Sequence, residues 1–309
     1  MTVFISCEKE KIYDVQDIRN DSPALPSQTE TPLTAEDSVV INKMPYYYNF
    51  LKTMKENGYY FCDFRTYMKL DTSLLPSKVL VIRHDIHSRD VKWAYIAFQI
   101  EQIVIGSGQS TFYVLLNDPC ELPQGTQIQK AYMGLIRHLD SNHVDIQPHI
   151  SPIDLYINSR HPLWEKYSYD TLKLLFERNY FWGMYGKGKK VNVRGEDVFN
   201  INDINREIRT LLIRYNKEWT KQTGLKVQGY ASHGSATCMN RIINNAEILD
   251  QQILRNAGIF SYDTYNSTIF NVLTYLSDNS QPAWMKNPQI IPHGHYQFLM
   301  HPYLWSLLR

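Results

Sequence analysis

Strands alternating with helices, and so an α/β fold built on a parallel sheet, are what this sequence predicts. Three observations carry that expectation. Short runs that are wholly or mostly apolar recur along the chain: Val79-Leu80-Val81-Ile82, Thr111-Phe112-Tyr113-Val114-Leu115-Leu116, and, each broken by one polar residue, Val144 to Ile146, Val227 to Ala231 and Tyr296 to Met300. Stretches with helical spacing lie between most of them. Each run gives way to polar residues within a step or two of its carboxyl end. Runs of this kind suit strands buried on both faces. Their alternation with helices argues for βα units on a parallel sheet, open or closed as a barrel.

The chain has 309 residues, enough for one large domain or two small ones with a real core. Residues 1–40 contain Asp21-Ser22-Pro23-Ala24-Leu25-Pro26 and further Ser, Thr and Pro, with little to bury. They read as an N-terminal extension or linker ahead of one domain over 41–309. A helix is predicted from Met44, with Tyr47, Phe50, Leu51 and Met54 on one face and a stop near Gly58. After the strand ending at Asp85, Ser88 is placed to cap a helix, and Asp90 in its first turn suits the helix dipole. That helix runs to about Ile105 and stops at Gly106-Ser107-Gly108. The next strand, 111–116, ends in the turn Asn117-Asp118-Pro119. A helix over 127–138 and a strand over 144–149 follow.

Residues 172–181 read as a helix, and 183–195 as a basic, glycine-bearing loop. Its Lys187, Lys189 and Lys190 could meet an anion, though a solvated loop explains them as well. A long helix spans 202–223 and stops at Gly224. A strand over 227–231, a helix over 240–256, a short strand near 259–263 and a last strand over 296–300 complete the reading.

Composition excludes several classes. Hydrophobic residues make 43% and charged residues 20%, an ordinary soluble balance. Lys plus Arg is 32 against 31 for Asp plus Glu, so no net field points to nucleic acid or an anionic membrane. The 22 tyrosines suit sugar-ring walls, but equally ordinary packing. Cys7, Cys62, Cys120 and Cys238 are scattered, without a Cys-x-x-Cys pair, which argues against a zinc knuckle or a disulfide framework. The first residues lack a basic leader, and no window approaches the roughly 20 apolar residues of a spanning helix. A cytoplasmic location is the expectation.

Polar chemistry gathers at four strand ends: Asp85 with His87, then His149, His233 and His301. Alternate residues of a strand share a side and rise about 3.3 Å each, so Asp85 and His87 project together while His84 and Ile86 point away. A parallel sheet places such ends on one rim, where ligands and catalytic groups collect. One histidine at a wet strand end is an ordinary hydrogen-bonded residue; a rim of them is harder to explain that way. His84, His138, His143, His161, His293 and His295 lack the placement and read as structural or solvated.

Arg83-His84-Asp85-Ile86-His87 resembles the Arg-His-Asp-Val-Asp motif of a subgroup of the polysaccharide deacetylase superfamily. The resemblance continues through Ser110-Thr111-Phe112-Tyr113, Asp145-Ile146-Gln147-Pro148-His149, Ser232-His233-Gly234 and Leu299-Met300-His301-Pro302, in the family's order, over about residues 75–305. It implies a distorted (β/α) barrel of about seven strands and a divalent metal that helps hydrolyse acyl groups on sugars. It makes Asp85 the general base and His301 the general acid, with His149 a metal ligand. Two positions depart from the pattern. His87 stands where a metal-binding aspartate is expected, and Ile153 where many members carry a second histidine. His233 is the natural replacement, giving three histidine ligands that favour zinc. The implied activity is removal of an N-acyl group, acetyl or formyl, from a sugar. The substrate would be an intracellular, nucleotide- or lipid-linked glycan precursor of surface polysaccharide. The alternatives are a sugar-binding barrel without turnover and a metal-dependent amidohydrolase on a non-sugar amide.

Overall fold

A computed structural model of the chain describes residues 33–70, 75–117, 126–159, 190–193, 196–233, 254–255, 258–264, 269, 272–279 and 281–308. The predicted helices over 172–181 and 240–256, Lys187, Lys189 and His161 fall largely or wholly outside them.

Thr34 starts the described chain's first helix, α1 (Ala35–Ile41), where a loop is the sequence expectation. Its side chain and that of Asp37 bond each other's backbone N–H, a capping box that closes the first turn. The predicted helix at 44 is α2 (Pro45–Glu56), with Tyr47, Phe50, Leu51 and Met54 buried. Strand β1 (Tyr60–Cys62) and a one-turn helix α3 (Phe64–Tyr67) lead to β2 (Val79–Ile86), buried along its whole length. Then come α4 (Val91–Val104), β3 (Thr111–Val114), α5 (Thr126–Asp140), β4 (Asp145–Ile150) and α6 (Pro152–Ser159). An antiparallel hairpin, β5 (Lys190–Val193) with β6 (Glu196–Asn200), replaces the end of the predicted basic loop. The chain finishes with α7 (Ile201–Thr223), β7 (Gly229–Ser232), β8 (Tyr262–Asp263), β9 (Thr274–Ser277), β10 (His295–Met300) and α8 (Pro302–Ser306). Among the described residues no helix is long and apolar enough to cross a membrane.

Eight of these strands form one sheet in the order β8-β7-β4-β3-β2-β10-β9, with β1 also on β2. Every pairing in it is parallel. β10 covers one edge of β2, so β1 and β3 lie end to end along the other. From β2 through β3, β4 and β7 to β8 the order follows the chain, and β9 and β10 bring it back to β2. β8 and β9, at the ends of the order, do not pair with each other among the described residues.

The sheet must curl. β8 is four strands from β2, about 19 Å across a flat sheet. Yet Arg83 of β2 donates from Nη1 to Thr264 Oγ1, one residue past β8, at 2.6 Å. Phe64 beside β2 stacks on Tyr262 of β8, ring centroids 5.7 Å apart. The result is a curled, all-parallel sheet, compatible with the distorted barrel expected.

Alternation along each strand sorts the side chains. Leu80 and Ile82 of β2 and Tyr296, Phe298 and Met300 of β10 point out and pack with α2, α4 and Trp305. Phe112, Val114, Ile146, Ile150 and Tyr230 pack with α4, α5 and α7. Inside, Val79, Val81, Tyr113, Ala231 and Tyr262 form a smaller cluster. Beside that cluster the inner face also carries buried polar groups: Arg83, Asp85, Gln147, His149 and Gln297.

Candidate metal centre

His87, His149 and His233 meet at the carboxyl rim of the curled sheet. One ring nitrogen from each lies within 4.8 Å of the others, and all three residues are buried. Ring centroids are 5.3 Å apart for His87 and His149, 5.0 Å for His87 and His233, and 4.9 Å for His149 and His233. Register explains the meeting. Asp85 pairs with Tyr113 and Ile86 with Val114, while Val114 pairs with Pro148. His87 and His149 therefore stand at one level, two strands apart. His149 pairs with Ala231, and His233 extends the same ladder by donating its N–H to the Ile150 carbonyl at 3.0 Å. The three donors come from the ends of β2, β4 and β7.

The local orientation of His149 suits a ligand. Its Nδ1 lies 3.0 Å from the Ala231 carbonyl, which can only accept, so Nδ1 carries the proton and Nε2 keeps its lone pair. Burial is the largest influence on this imidazole and holds its pKa well below the ordinary value, so it is neutral near pH 7. Three converging imidazoles, one with its tautomer set, form a site that can hold a divalent metal ion.

Asp85 points to the same place. Its Oδ2 is 3.6 Å from His149 Nε2. Arg83, fully buried, grips the carboxylate twice: Nε donates to Oδ1 at 3.1 Å and Nη2 to Oδ2 at 2.6 Å. Burial would raise the pKa of Asp85, but the Arg83 guanidinium outweighs it and holds the carboxyl far below its usual range. Asp85 is a fixed anion.

His301 closes the fourth side, its ring edge-on to His87 with centroids 5.5 Å apart. Residue 300 pairs with His84, which puts His301 level with Asp85. Asp278, at the end of β9 and fully buried, holds it. Nδ1 of His301 donates to Asp278 Oδ1 at 2.7 Å, and the His301 N–H donates to Oδ2 at 2.5 Å. Trp305 Nε1 donates to the same Oδ2 at 3.1 Å. Burial works against the charged imidazole, but Asp278 outweighs it and raises the pKa of His301. The cation survives to higher pH than that of a free histidine.

All five residues singled out in the sequence thus stand together: Asp85, His87, His149, His233 and His301. Ile153, where a ligand is expected from the resemblance, lies in the first turn of α6. His84 points away from the site, as alternation predicts. It stacks on Phe112 at 4.1 Å and contacts Glu101 at 2.5 Å, beside Tyr47 and Ser110. His295 rests its Nε2 on the Pro76 carbonyl at 2.7 Å.

Three contributors escaped sequence reasoning. Arg83 sits in the first motif, and its side of the strand, shared with Asp85, was the available signal. Asp278 follows Thr274-Tyr275-Leu276-Ser277, a short β-favouring run that turns acidic at its end. From sequence alone Asp90 suits the helix dipole and Ser88 the cap. In the structure Asp90 occupies the N-cap position of α4 and Ser88 is exposed. No family model matches the chain, and no curated protein matches it.

Proposed function

We propose that the chain is a metal-dependent hydrolase that removes an N-acyl group, acetyl or formyl, from a sugar of a glycan precursor, working in a distorted (β/α) barrel of the polysaccharide deacetylase kind. One observation carries the reading. Three buried imidazole donors meet beside a carboxylate held by an arginine and an imidazole held by a carboxylate. The kind of catalysis rests on that constellation. The sugar and the acyl group rest on the order of motifs in the sequence.

His87, His149 and His233 would hold the ion. Three imidazole nitrogen donors suit zinc rather than magnesium or calcium, which take oxygen ligands. Bound there, zinc would polarise an acyl carbonyl and bring the pKa of a water from 15.7 to about 7. Asp85 is assigned the proton of the attacking water. Gripped by Arg83 it is a weak base, which suits a water already made acidic. His301, kept protonated by Asp278, gives its proton to the departing amine, which leaves badly as an anion. The two proton-handling groups have been pushed apart in pKa by their partners, the pattern expected of an acid–base pair.

The Arg83 grip also favours a second reading. A carboxylate with both oxygens on one guanidinium attracts protons poorly, as in a barrel that binds sugar without turnover. Elemental analysis of the purified protein, with release of acetate or formate from N-acyl sugars and sugar nucleotides, decides between them. Roughly one zinc per chain with acid release is expected. Metal without release selects the binding protein, and neither metal nor release withdraws both the centre and the hydrolase.

A further inference from the structure

Asp90 is a fully buried carboxylate that the chemistry above does not use. It stands at the N-cap of α4, where an aspartate ordinarily accepts from the first N–H groups of its own helix. It makes no such bond. Its oxygens go to two other turns instead. Oδ2 accepts the backbone N–H of His87 at 3.2 Å, and Oδ1 accepts that of Tyr303, 213 residues away, at 2.8 Å. The first turn carries a ring of the triad. The second begins α8 two residues after His301. The turns meet again where the Arg89 guanidinium lies over the Tyr303 ring, 5.2 Å from its centroid. Between them the rings of His87 and His301 face each other edge-on at 5.5 Å.

We propose that Asp90 is a positioning residue, a clamp that fixes the turn of the metal ligand His87 against the turn of the proton donor His301. The inference rests on the hydrolase reading for its catalytic meaning. An acid must stand within about 2.6–3.2 Å of the atom it protonates, and a misplacement of about 1 Å can cost on the order of 10²-fold in rate. One carboxylate bonded to both backbones leaves their separation little freedom. Asp90→Asn keeps the volume but offers one acceptor and one donor. The donor would face an N–H, so one tether must open.

The test uses the full-length chain, with folding checked by circular dichroism and melting temperature. Metal-free protein is titrated with zinc against a chelating dye. Asp90→Asn is expected to bind zinc about 10-fold or more weakly, the range for losing a group that orients a ligand. On an N-acyl sugar its kcat is expected to fall on the order of 10²-fold. An aryl acetate, whose phenolate leaves without a proton, should be spared most of that loss. Asp90→Glu keeps both acceptors one methylene further out and should fall between wild type and Asn. It carries the test if the Asn variant does not fold. Unchanged zinc affinity in the folded variant, or equal losses on both substrates, overturns the clamp. If the wild type hydrolyses neither substrate the hydrolase reading falls, while the zinc titration still decides on Asp90.

Discussion

Asp85 and His301 show how partners override burial. Left alone in the interior, a carboxylate gains affinity for a proton and an imidazole loses it. Arg83 reverses the first and Asp278 the second. Asp85→Asn therefore has two expected effects. On the proposed hydrolase reading, turnover should fall by roughly 10²–10⁴-fold, as for a lost general base. Stability should fall by on the order of 3 kcal/mol, because Arg83 stays buried with half its grip gone. Rates, melting temperature and zinc content on one preparation check this. Loss of zinc together with activity would make Asp85 a ligand and end its role as base. Asp278→Asn acts on the other side. With the anion gone, the pKa of His301 drops, so the alkaline limb of the kcat/KM profile should move to lower pH. Stability follows the same linkage. A histidine whose folded pKa is raised contributes stability in full below its unfolded value of about 6.5 and loses it as pH rises through the folded value. Wild type should shed that contribution on the alkaline side, and Asp278→Asn should not. An unmoved alkaline limb would show that another group sets it.

At the scale of elements, the legible strands were those whose apolar residues run together or alternate. β2 and β3 carry unbroken apolar stretches, while Ile146 and Ile150 of β4, Tyr230 of β7 and Tyr296, Phe298 and Met300 of β10 each stand beside a polar or small residue, and all five strands are buried almost throughout. Their sudden polar ends marked the rim, and strand alternation correctly turned His84 outward. β9 is half exposed, so Thr274 to Ser277 gives no such run, and Asp278 went unseen with it. β1 has three residues, too few for a period, and α1 depends on a capping box rather than an apolar face. Pairings between distant segments, such as Asp278 with His301 or Arg83 with Thr264, follow from the curl and have no local signature. Gly229 of β7 tests how tightly β8 lies against it. A Cβ there would sit 2.2 Å from the Tyr262 ring of β8. That ring is buried, 2% exposed, and cannot swing clear. Gly229→Ala is expected to cost about 1–3 kcal/mol by overpacking, read as a lower midpoint in urea. An unchanged midpoint would mean that β8 does not press on β7.

Across the curled sheet of the described residues, the three imidazoles come from the ends of β2, β4 and β7, with β3 between the first two. They are 62 and 84 residues apart in sequence, so the cluster exists only in the folded chain. A ligand that binds the folded state and not the unfolded one stabilises it by RT ln(1 + [L]/Kd), about 2.7 kcal/mol at a hundred times Kd. For a chain of this size each kcal/mol moves the melting temperature by about 2 °C, so zinc at that level should raise it by about 5 °C. Chelation should reverse the rise, and the shift should follow free zinc logarithmically rather than saturate. Magnesium and calcium should do little, because the donors are nitrogens. His233→Ala separates a site from general binding of zinc to surface histidines. It removes one of three converging donors and leaves the exposed ones in place, so the rise should nearly vanish at the same free zinc. A wild type indifferent to both zinc and chelator would leave the triad as a packed histidine cluster. A His233→Ala variant with the full rise would take His233 out of the centre and leave His87 and His149 to share the ion with another group.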